Sequence, residues 1–152
     1  MSHGEYDFLE YFIKNTNGDI LEIGQGFSTI VMLHATAGSS RKITSIDMKY
    51  KLKDHVQYLP EDYLSRLEFI QKDSKQVTLT DQYGVVLIDS EHTYNAVRKD
   101  TIRFWKNLKE NGFAIFHDYG LFPGVTKFLD SWVLMYDGFY AQKDHLAIIH
   151  KN

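Results

Sequence analysis

The feature that most constrains the fold of this chain is the alternation of short apolar runs with segments of helical periodicity. The clearest run, 84–88 (GVVLI), contains no polar side chain and ends at Asp89. Strands that are buried on both faces have this composition, whereas half-exposed strands alternate polar and apolar residues. Short strands that alternate with helices predict a doubly wound α/β fold, with a mostly parallel sheet covered by helices on both faces.

Six more strands are predicted from runs of the same kind. They are 19–23, 43–46, 67–71, 113–116, 138–142 and 146–150. Helical spacing of apolar residues predicts helices over 6–14, 28–37, 94–109 and 125–135, and over part of 48–64, where Pro60 interrupts the pattern. Ser28 or Thr29 is the expected cap of the second helix. The last two strands have no helix between them, so one antiparallel strand is expected there, after a turn at 143–144.

Composition excludes several classes of function. The chain has no cysteine, which excludes disulfides, thiolate metal sites and thiol nucleophiles. A net charge of −3 does not support a nucleic-acid partner. No run approaches the about 18 to 20 apolar residues of a membrane helix, and the first residues do not resemble a signal peptide. We therefore expect a cytoplasmic protein with one domain over residues 1–152 and no membrane partner.

The predicted strands share an unusual set of residues at their carboxyl ends. In open sheets of this kind, ligands bind beyond those ends. The residues found there are Gly24, Asp47, Asp73, Asp89 and the pair His117–Asp118. Four carboxylates at successive strand ends are more than folding requires, so a binding site is expected at this edge of the sheet.

The segment 22–26 (EIGQG) joins the first predicted strand to a helix. Its glycines allow a tight turn and a close approach to a ligand. Asp47 ends the next strand, where a carboxylate can accept hydrogen bonds from both hydroxyls of a ribose. These features predict a nucleotide-derived cofactor. A dinucleotide fingerprint requires a third glycine where this chain has Thr29, and Glu22 disfavours a pyrophosphate, so a nucleotide-dependent oxidoreductase is the least favoured alternative.

Three segments carry a resemblance to a known family. They are 22–29 (EIGQGFST), 85–100 (VVLIDSEHTYNAVRKD) and 112–124 (GFAIFHDYGLFPG). They resemble class I methyltransferases that depend on S-adenosylmethionine (SAM), in particular a small group that includes macrocin-type O-methyltransferases and relatives of the cephalosporin hydroxylase family. The resemblance covers 19–150 and implies a Rossmann-like, mostly parallel seven-stranded sheet with an antiparallel last strand, and SAM as the cofactor.

The resemblance also implies roles for individual residues. Asp47 would bind the ribose, Asp73 and Ser74 would flank the adenine, and Glu22 would orient the glycine loop near the methionyl amino group. Asp89 would face the methionyl end and the transfer site. The cofactor-binding residues implied in this way are Glu22, Gly24, Gly26, Ser28, Asp47, Asp73, Ser74 and Asp89.

Acidic and histidine side chains at two neighbouring strand ends form a candidate catalytic group. Carboxylate oxygens suit Mg²⁺, and an imidazole shifts the preference toward Mn²⁺ or Fe²⁺. The candidate metal ligands are Asp89, His117 and Asp118, although Tyr119 stands where catechol-type relatives have asparagine. Histidine has an unperturbed pKa near 6.5, which suits proton removal. His92 is therefore the candidate general base, with Asp89 as the second catalytic residue; the alternative is that His92 caps the next helix.

The predicted function is SAM-dependent O-methyl transfer to a hydroxyl of a small molecule or sugar, with a divalent cation such as Mg²⁺ as a candidate second cofactor. Only 18 residues precede the first predicted strand, so we expect a minimal domain without a substrate cap. An open acceptor site of this kind makes a homodimer reasonable. It also leaves a second hypothesis, a non-catalytic SAM-binding module that a partner completes.

Overall fold

The strands of the computed structural model, which describes residues 1–152, form one seven-stranded sheet. They are β1 Ile20–Ile23, β2 Ile43–Asp47, β3 Leu67–Gln71, β4 Tyr83–Ile88, β5 Leu108–Phe116, β6 Ala141–Lys143 and β7 Leu146–His150. Their order in the sheet is β3-β2-β1-β4-β5-β7-β6. The first five strands pair in parallel, and β7 is antiparallel to β5. The predicted fold class, including the antiparallel last strand, is confirmed.

Helices cover both faces of the sheet. They are α1 His3–Lys14, α2 Phe27–Ala35, α3 Glu61–Arg66, α4 Tyr94–Trp105 and α5 Pro123–Trp132. Short 3₁₀ turns occupy Val56–Tyr58, Ser74–Gln76 and Val133–Tyr136. None of these helices combines the length and the apolarity that crossing a membrane requires.

The apolar run of β4 contributes to two separate cores. Val85 and Leu87 pack in the cluster that contains α1 and α2, whereas Val86 and Ile88 pack in the cluster that contains α4 and α5. Successive side chains of a strand point to opposite faces, so a strand between two helical layers needs an apolar residue at every position. The doubly covered sheet therefore explains the run from which it was predicted.

The order of the strands reverses between β1 and β4. From β1 the chain proceeds outward to β2 and β3, and it then returns to form β4 and β5 on the other side. The loops that follow β1 and β4 consequently diverge and leave a crevice at the carboxyl ends of the strands. Ligands of open α/β sheets bind at a switch point of this kind.

The predicted fourth helix is too long. It ends at Trp105, and residues from Leu108 onward belong to β5. The buried Asn107 takes part in the junction, because its carbonyl accepts a hydrogen bond from the Tyr83 amide at 2.7 Å. Asn111 does have the left-handed backbone that ends many helices, with φ of 60°, but it lies inside β5. Pairing with the sheet overrode the local helix signal.

Other boundaries also differ from their predictions. The helix predicted over 125–135 gives way to a 3₁₀ turn after Trp132. The strand predicted over 138–142 is the shorter β6, and the hairpin turn lies at 144–145 rather than 143–144. The ambiguous region 48–64 contains two short helical pieces on either side of Pro60, as the proline predicted.

Candidate functional site

Two adjoining cavities lie at the carboxyl ends of the central strands. The first cavity has a volume of about 200 Å³, and its wall includes Gly24, Asp47, Asp73, Ser74 and Asp100. The second cavity has a volume of about 290 Å³, and its wall includes Gln25, Gly26, Ser28, Asp89 and His92. Lys51 and Ser90 line both. The structure therefore brings most of the predicted site residues into one crevice.

Position 24 of the glycine loop accepts only glycine. Its φ is +97°, and a Cβ at this position would lie 1.9 Å from the carbonyl oxygen of Asp89. Gly26 is different, because its φ of −165° is ordinary extended backbone and the nearest atom to an added Cβ is 3.8 Å away. Gly24 is thus required for the contact between the β1 and β4 loops, while Gly26 leaves space at the second cavity.

Glu22 lies beneath the loop and is fully buried. Its carboxylate accepts hydrogen bonds at 2.6 Å from the hydroxyls of Ser28, Thr29 and Ser45. Burial raises the pKa of Glu22 to about 7, and the charge of Asp89 adds to this rise, while the three hydroxyl bonds oppose it. The carboxylate fixes the first turn of α2 from below.

The prediction that Ser28 or Thr29 is the N-cap of α2 is wrong, because the hydroxyls of both residues bind Glu22. The helix begins at Phe27 with Gly26 as its N-cap, and the hydroxyls of Ser28 and Thr29 donate to Glu22. The Thr29 hydroxyl also accepts a hydrogen bond from the Gly26 amide at 3.3 Å, so Thr29 supports the cap from the third helical position. A buried carboxylate needs hydrogen-bond donors, and these two hydroxyls in the first turn of α2 supply them. Ser45 was not identified from the sequence, and Thr29 was expected only as a cap. The short spacing from 22 to 29 is the signal that could have indicated the contact of Thr29 with Glu22.

Asp47 stands on the wall of the first cavity at the end of β2. Its Oδ2 accepts a hydrogen bond from the Gln25 amide at 2.9 Å and lies 2.9 Å from the Lys51 ammonium nitrogen. Its Oδ1 accepts a hydrogen bond from the Lys49 amide at 2.9 Å. The carboxylate therefore ties the glycine loop to the loop after β2, and its side chain is still 13% exposed to the cavity side.

Asp100 of α4 joins two loops of the first cavity. Its Oδ1 accepts a hydrogen bond from the Ser74 hydroxyl at 2.6 Å, and its Oδ2 accepts one from the Ser90 hydroxyl at 2.7 Å. Asp73 lies beside Ser74, and its carboxylate accepts a hydrogen bond from the Lys75 amide at 2.9 Å. Asp100 was not predicted to be a site residue, although it lies in the buried stripe of α4 with Val97 and other residues. A carboxylate on an apolar stripe is the signal that could have identified it.

The acidic and histidine residues converge as predicted. The His92 Nε2 atom lies 2.6 Å from Asp118 Oδ2, and His117 Nδ1 lies 3.1 Å from both Asp118 Oδ2 and Asp89 Oδ1. Burial alone would lower the pKa of His117, but the hydrogen bond to Asp89 and the charges of Asp89 and Asp118 raise it above its ordinary value. Asp118 is buried in a left-handed conformation with φ of 68°.

One arrangement of this cluster has the geometry of a metal site. Asp89, His92 and Asp118 each offer one ligand atom, and the three atoms lie within 4.8 Å of one another. The predicted set had His117 in place of His92. Both sets share the two carboxylates, and His117 is within hydrogen-bond distance of each of them.

Helix α1 contributes a residue that the sequence did not reveal. The buried Glu5 accepts a hydrogen bond from the His145 amide at 2.9 Å and lies 3.8 Å from His117 Nε2. Burial opposes ionisation of Glu5, but backbone hydrogen bonds from Ser2 and His145 and the charge of His117 lower its pKa below the ordinary value. Tyr6, on the next position, lines the second cavity. α1 is therefore anchored against the site.

An exposed aromatic side chain flanks the general-base candidate. The ring of Phe122 stacks on that of His92 with 4.2 Å between the ring centroids. Phe122 is 37% exposed, and Phe27, which lines the second cavity, is 57% exposed. By contrast, Trp105 and Trp132 pack against the core. Apolar surface is thus available beside the cluster.

Comparison with known proteins gives a family and a fold. The family described as "Methyltransferase domain" matches residues 21–119. The O-methyltransferase NovP has 15% sequence identity and a TM-score of 0.72, over 98% of this chain and 80% of that chain. PaMTH1, a methyltransferase of Podospora anserina in its SAH-bound form, has 16% identity and a TM-score of 0.73, over 100% of this chain and 80% of that chain.

A third structure of the same fold is that of CalS11, a TDP-rhamnose 3′-O-methyltransferase. It has 14% identity and a TM-score of 0.66, over 96% of this chain and 76% of that chain. A search among curated proteins gives no significant match. At these identities the solved structures show a shared fold, while the family match covers the glycine loop and the acidic cluster.

Proposed function

The chain belongs to the methyltransferase domain family, and from that premise we propose that it binds SAM in the two cavities and transfers the methyl group to a hydroxyl oxygen. The observation that carries the proposal is the position of Asp47, a partly exposed carboxylate on the cavity wall beside the glycine loop. The PaMTH1 structure of the same fold holds SAH, or S-adenosylhomocysteine, which supports the cofactor.

The residues present fit the parts of SAM in order. In this proposal Asp47 accepts the ribose hydroxyls, and Asp73 and Ser74 flank the adenine within the first cavity. Gly26 and Ser28 adjoin the methionyl group in the second cavity. Asp89 faces the positively charged sulfonium and amino groups, because opposite charges attract strongly in a partly buried crevice. Glu22 acts from beneath, through the hydroxyls that hold the start of α2.

When bound, SAM supplies an electrophilic methyl group on its sulfonium sulfur. A hydroxyl acceptor must lose its proton to attack that group, so the enzyme needs a base beside the second cavity. In the proposal His92 is this base. Its Nε2 faces Asp118 at 2.6 Å, which favours the tautomer with hydrogen on Nε2 and leaves the lone pair of Nδ1 free to accept a proton.

The donor set of Asp89, His92 and Asp118 also fits a divalent cation. Two carboxylate oxygens and one imidazole nitrogen are ligands that Mg²⁺ and Mn²⁺ accept. A cation at this site would lower the pKa of an acceptor hydroxyl. Asp89 and Asp118 would be its ligands, with His117 as the third where His92 is the base. If His92 were the third ligand through Nε2, its hydrogen would lie on Nδ1 and it would not act as the base.

An oxygen acceptor suits this site better than a nitrogen acceptor. A hydroxyl requires removal of its proton, and the His92–Asp118 pair provides a place for it. Among proteins that share the fold, NovP is an O-methyltransferase and CalS11 is a TDP-rhamnose 3′-O-methyltransferase. These points support a small molecule or sugar as the acceptor.

The test is transfer of a labelled methyl group from SAM to a panel of phenols, sugars and sugar nucleotides, with EDTA and with added Mg²⁺ or Mn²⁺. The proposal expects labelled product from at least one acceptor. Loss of transfer in EDTA, with recovery on adding the cation, would establish the metal. SAH binding without turnover on any acceptor would favour the non-catalytic alternative, and NAD(H) binding without SAH binding would favour an oxidoreductase.

A further inference from the structure

Lys51 occupies the junction of the two cavities. It lies on the loop after β2, and it is the one charged side chain that lines both the first and the second cavity. Its ammonium nitrogen is 2.9 Å from Asp47 Oδ2, and its side chain is 52% exposed. A lysine ammonium has three donors, so the contact with Asp47 leaves others free for a ligand.

The second cavity needs a cation if it is to hold the methionyl group. That group carries a carboxylate together with its positive amino and sulfonium groups. The ionisable side chains on the cavity wall are Tyr6, Lys51, Asp89 and His92. Lys51 is the only lysine or arginine among them. Met1 also lines this cavity, and the charge of its α-amino group acts on Glu5 and His117, on the α1 side.

We infer that the ammonium of Lys51 binds the carboxylate of the SAM methionyl group and so positions the cofactor across the two cavities. The inference rests on the proposed function and adds to it a residue outside the glycine loop and outside the strand-end acids. Lys51 then bridges two carboxylates, that of Asp47 and that of the cofactor.

The present contact of Lys51 leaves it free for this role. Because the Lys51 side chain is half-exposed, water screens its attraction to Asp47, and a ligand carboxylate can share the ammonium at small cost. The Asp47 carboxylate also keeps two backbone donors, the amides of Gln25 and Lys49, when the ammonium turns toward the ligand.

The experiment compares two ligands, one with and one without the amino-acid part that carries the carboxylate. SAH contains the methionyl carboxylate, whereas 5′-methylthioadenosine has the same adenosine and sulfur without it. Isothermal titration gives the ratio of the two dissociation constants for the wild type, Lys51→Met and Lys51→Arg. Any effect of Lys51 on Asp47 and the ribose alters both ligands alike and cancels in the ratio.

The expected result is a loss of about tenfold in SAH affinity in Lys51→Met, with 5′-methylthioadenosine changed by less than about twofold and the preference for SAH kept in Lys51→Arg. Lys53→Met is the matched control, an exposed lysine of the same loop, and should keep the wild-type ratio. Equal losses for both ligands, or none, would overturn the inference alone. A wild type that binds neither ligand would overturn it together with the proposed function.

Discussion

Gly24 lies so close to Asp89 that a Cβ on the glycine would be 1.9 Å from the aspartate carbonyl oxygen. The contact holds the loop after β1 against the loop after β4, at the point where the strand order reverses. One of these loops supplies the glycine turn and the other supplies Asp89 and His92. The close contact therefore sets the relative position of the cofactor cavity and the acid–histidine cluster.

Substitution of the two loop glycines should have unequal effects on stability. Gly24→Ala introduces a clash with backbone and a side chain at positive φ, so we expect a loss of at least about 2 kcal/mol in the free energy of unfolding. Gly26→Ala has extended backbone and open space, so its unfolding free energy should stay close to that of the wild type. Chemical denaturation of both variants checks this, and equal destabilisation would contradict it.

Glu22 should make stability depend on pH. Its pKa is raised from 4.5 to about 7 by burial, so the folded state binds this proton more tightly than the unfolded chain does. The contribution is fully present below pH 4.5 and is lost as the pH rises to about 7. The free energy of unfolding should therefore fall over this window in the wild type.

Glu22→Gln should flatten that pH dependence, because the amide does not titrate. Urea denaturation at several pH values between 4 and 8 measures it, with Glu110→Gln, an exposed carboxylate, as the control. The free energy of unfolding of Glu22→Gln, relative to that of the wild type, should increase as the pH rises. Parallel curves for the two proteins would mean that Glu22 ionises normally in the fold.

Asp100 should support both stability and cofactor affinity. Asp100→Asn keeps the shape but loses one of the two acceptors that hold Ser74 and Ser90, so we expect a loss of about 1 to 3 kcal/mol in stability. SAH affinity should also fall, because both serines line the first cavity. A double-mutant cycle with Ser90→Ala gives the interaction energy between Asp100 and Ser90. Full additivity of the two substitutions would mean that their hydrogen bond contributes nothing to stability.

His92 should act in catalysis and not in cofactor binding. Loss of a general base typically lowers the rate by about 10² to 10⁴-fold. His92→Asn should therefore reduce kcat on an active acceptor by this order, while SAH affinity stays within about twofold. A variant with wild-type kcat would assign the base elsewhere and leave His92 as a helix-start or packing residue beside Phe122.

The sequence was sufficient for the features that depend on local pattern. Apolar runs located all seven strands, and the position of Asp47, Asp73 and Asp89 at strand ends predicted that they surround one crevice. These predictions succeeded because burial on both faces leaves a direct composition signal, and because parallel strands align their carboxyl ends at one edge.

Features that depend on distant contacts could not be predicted in the same way. Glu5 reaches the site by a hydrogen bond from His145, which is 140 positions away in the chain. The helix predicted over 94–109 ends at Trp105, and the Asn111 amide donates to the Lys151 carbonyl at 2.8 Å within the sheet. In both cases the partner that decides the outcome lies outside any local window of sequence.

Binding of SAM in the crevice through Asp47 is tested most directly by isothermal titration of SAH into the wild type and into Asp47→Ala. Asp54→Ala, an exposed acid of the same loop, is the control. The account predicts micromolar binding to the wild type and to Asp54→Ala, with a loss of at least about tenfold in Asp47→Ala. Absence of binding to the wild type, or undiminished binding to Asp47→Ala, would contradict it.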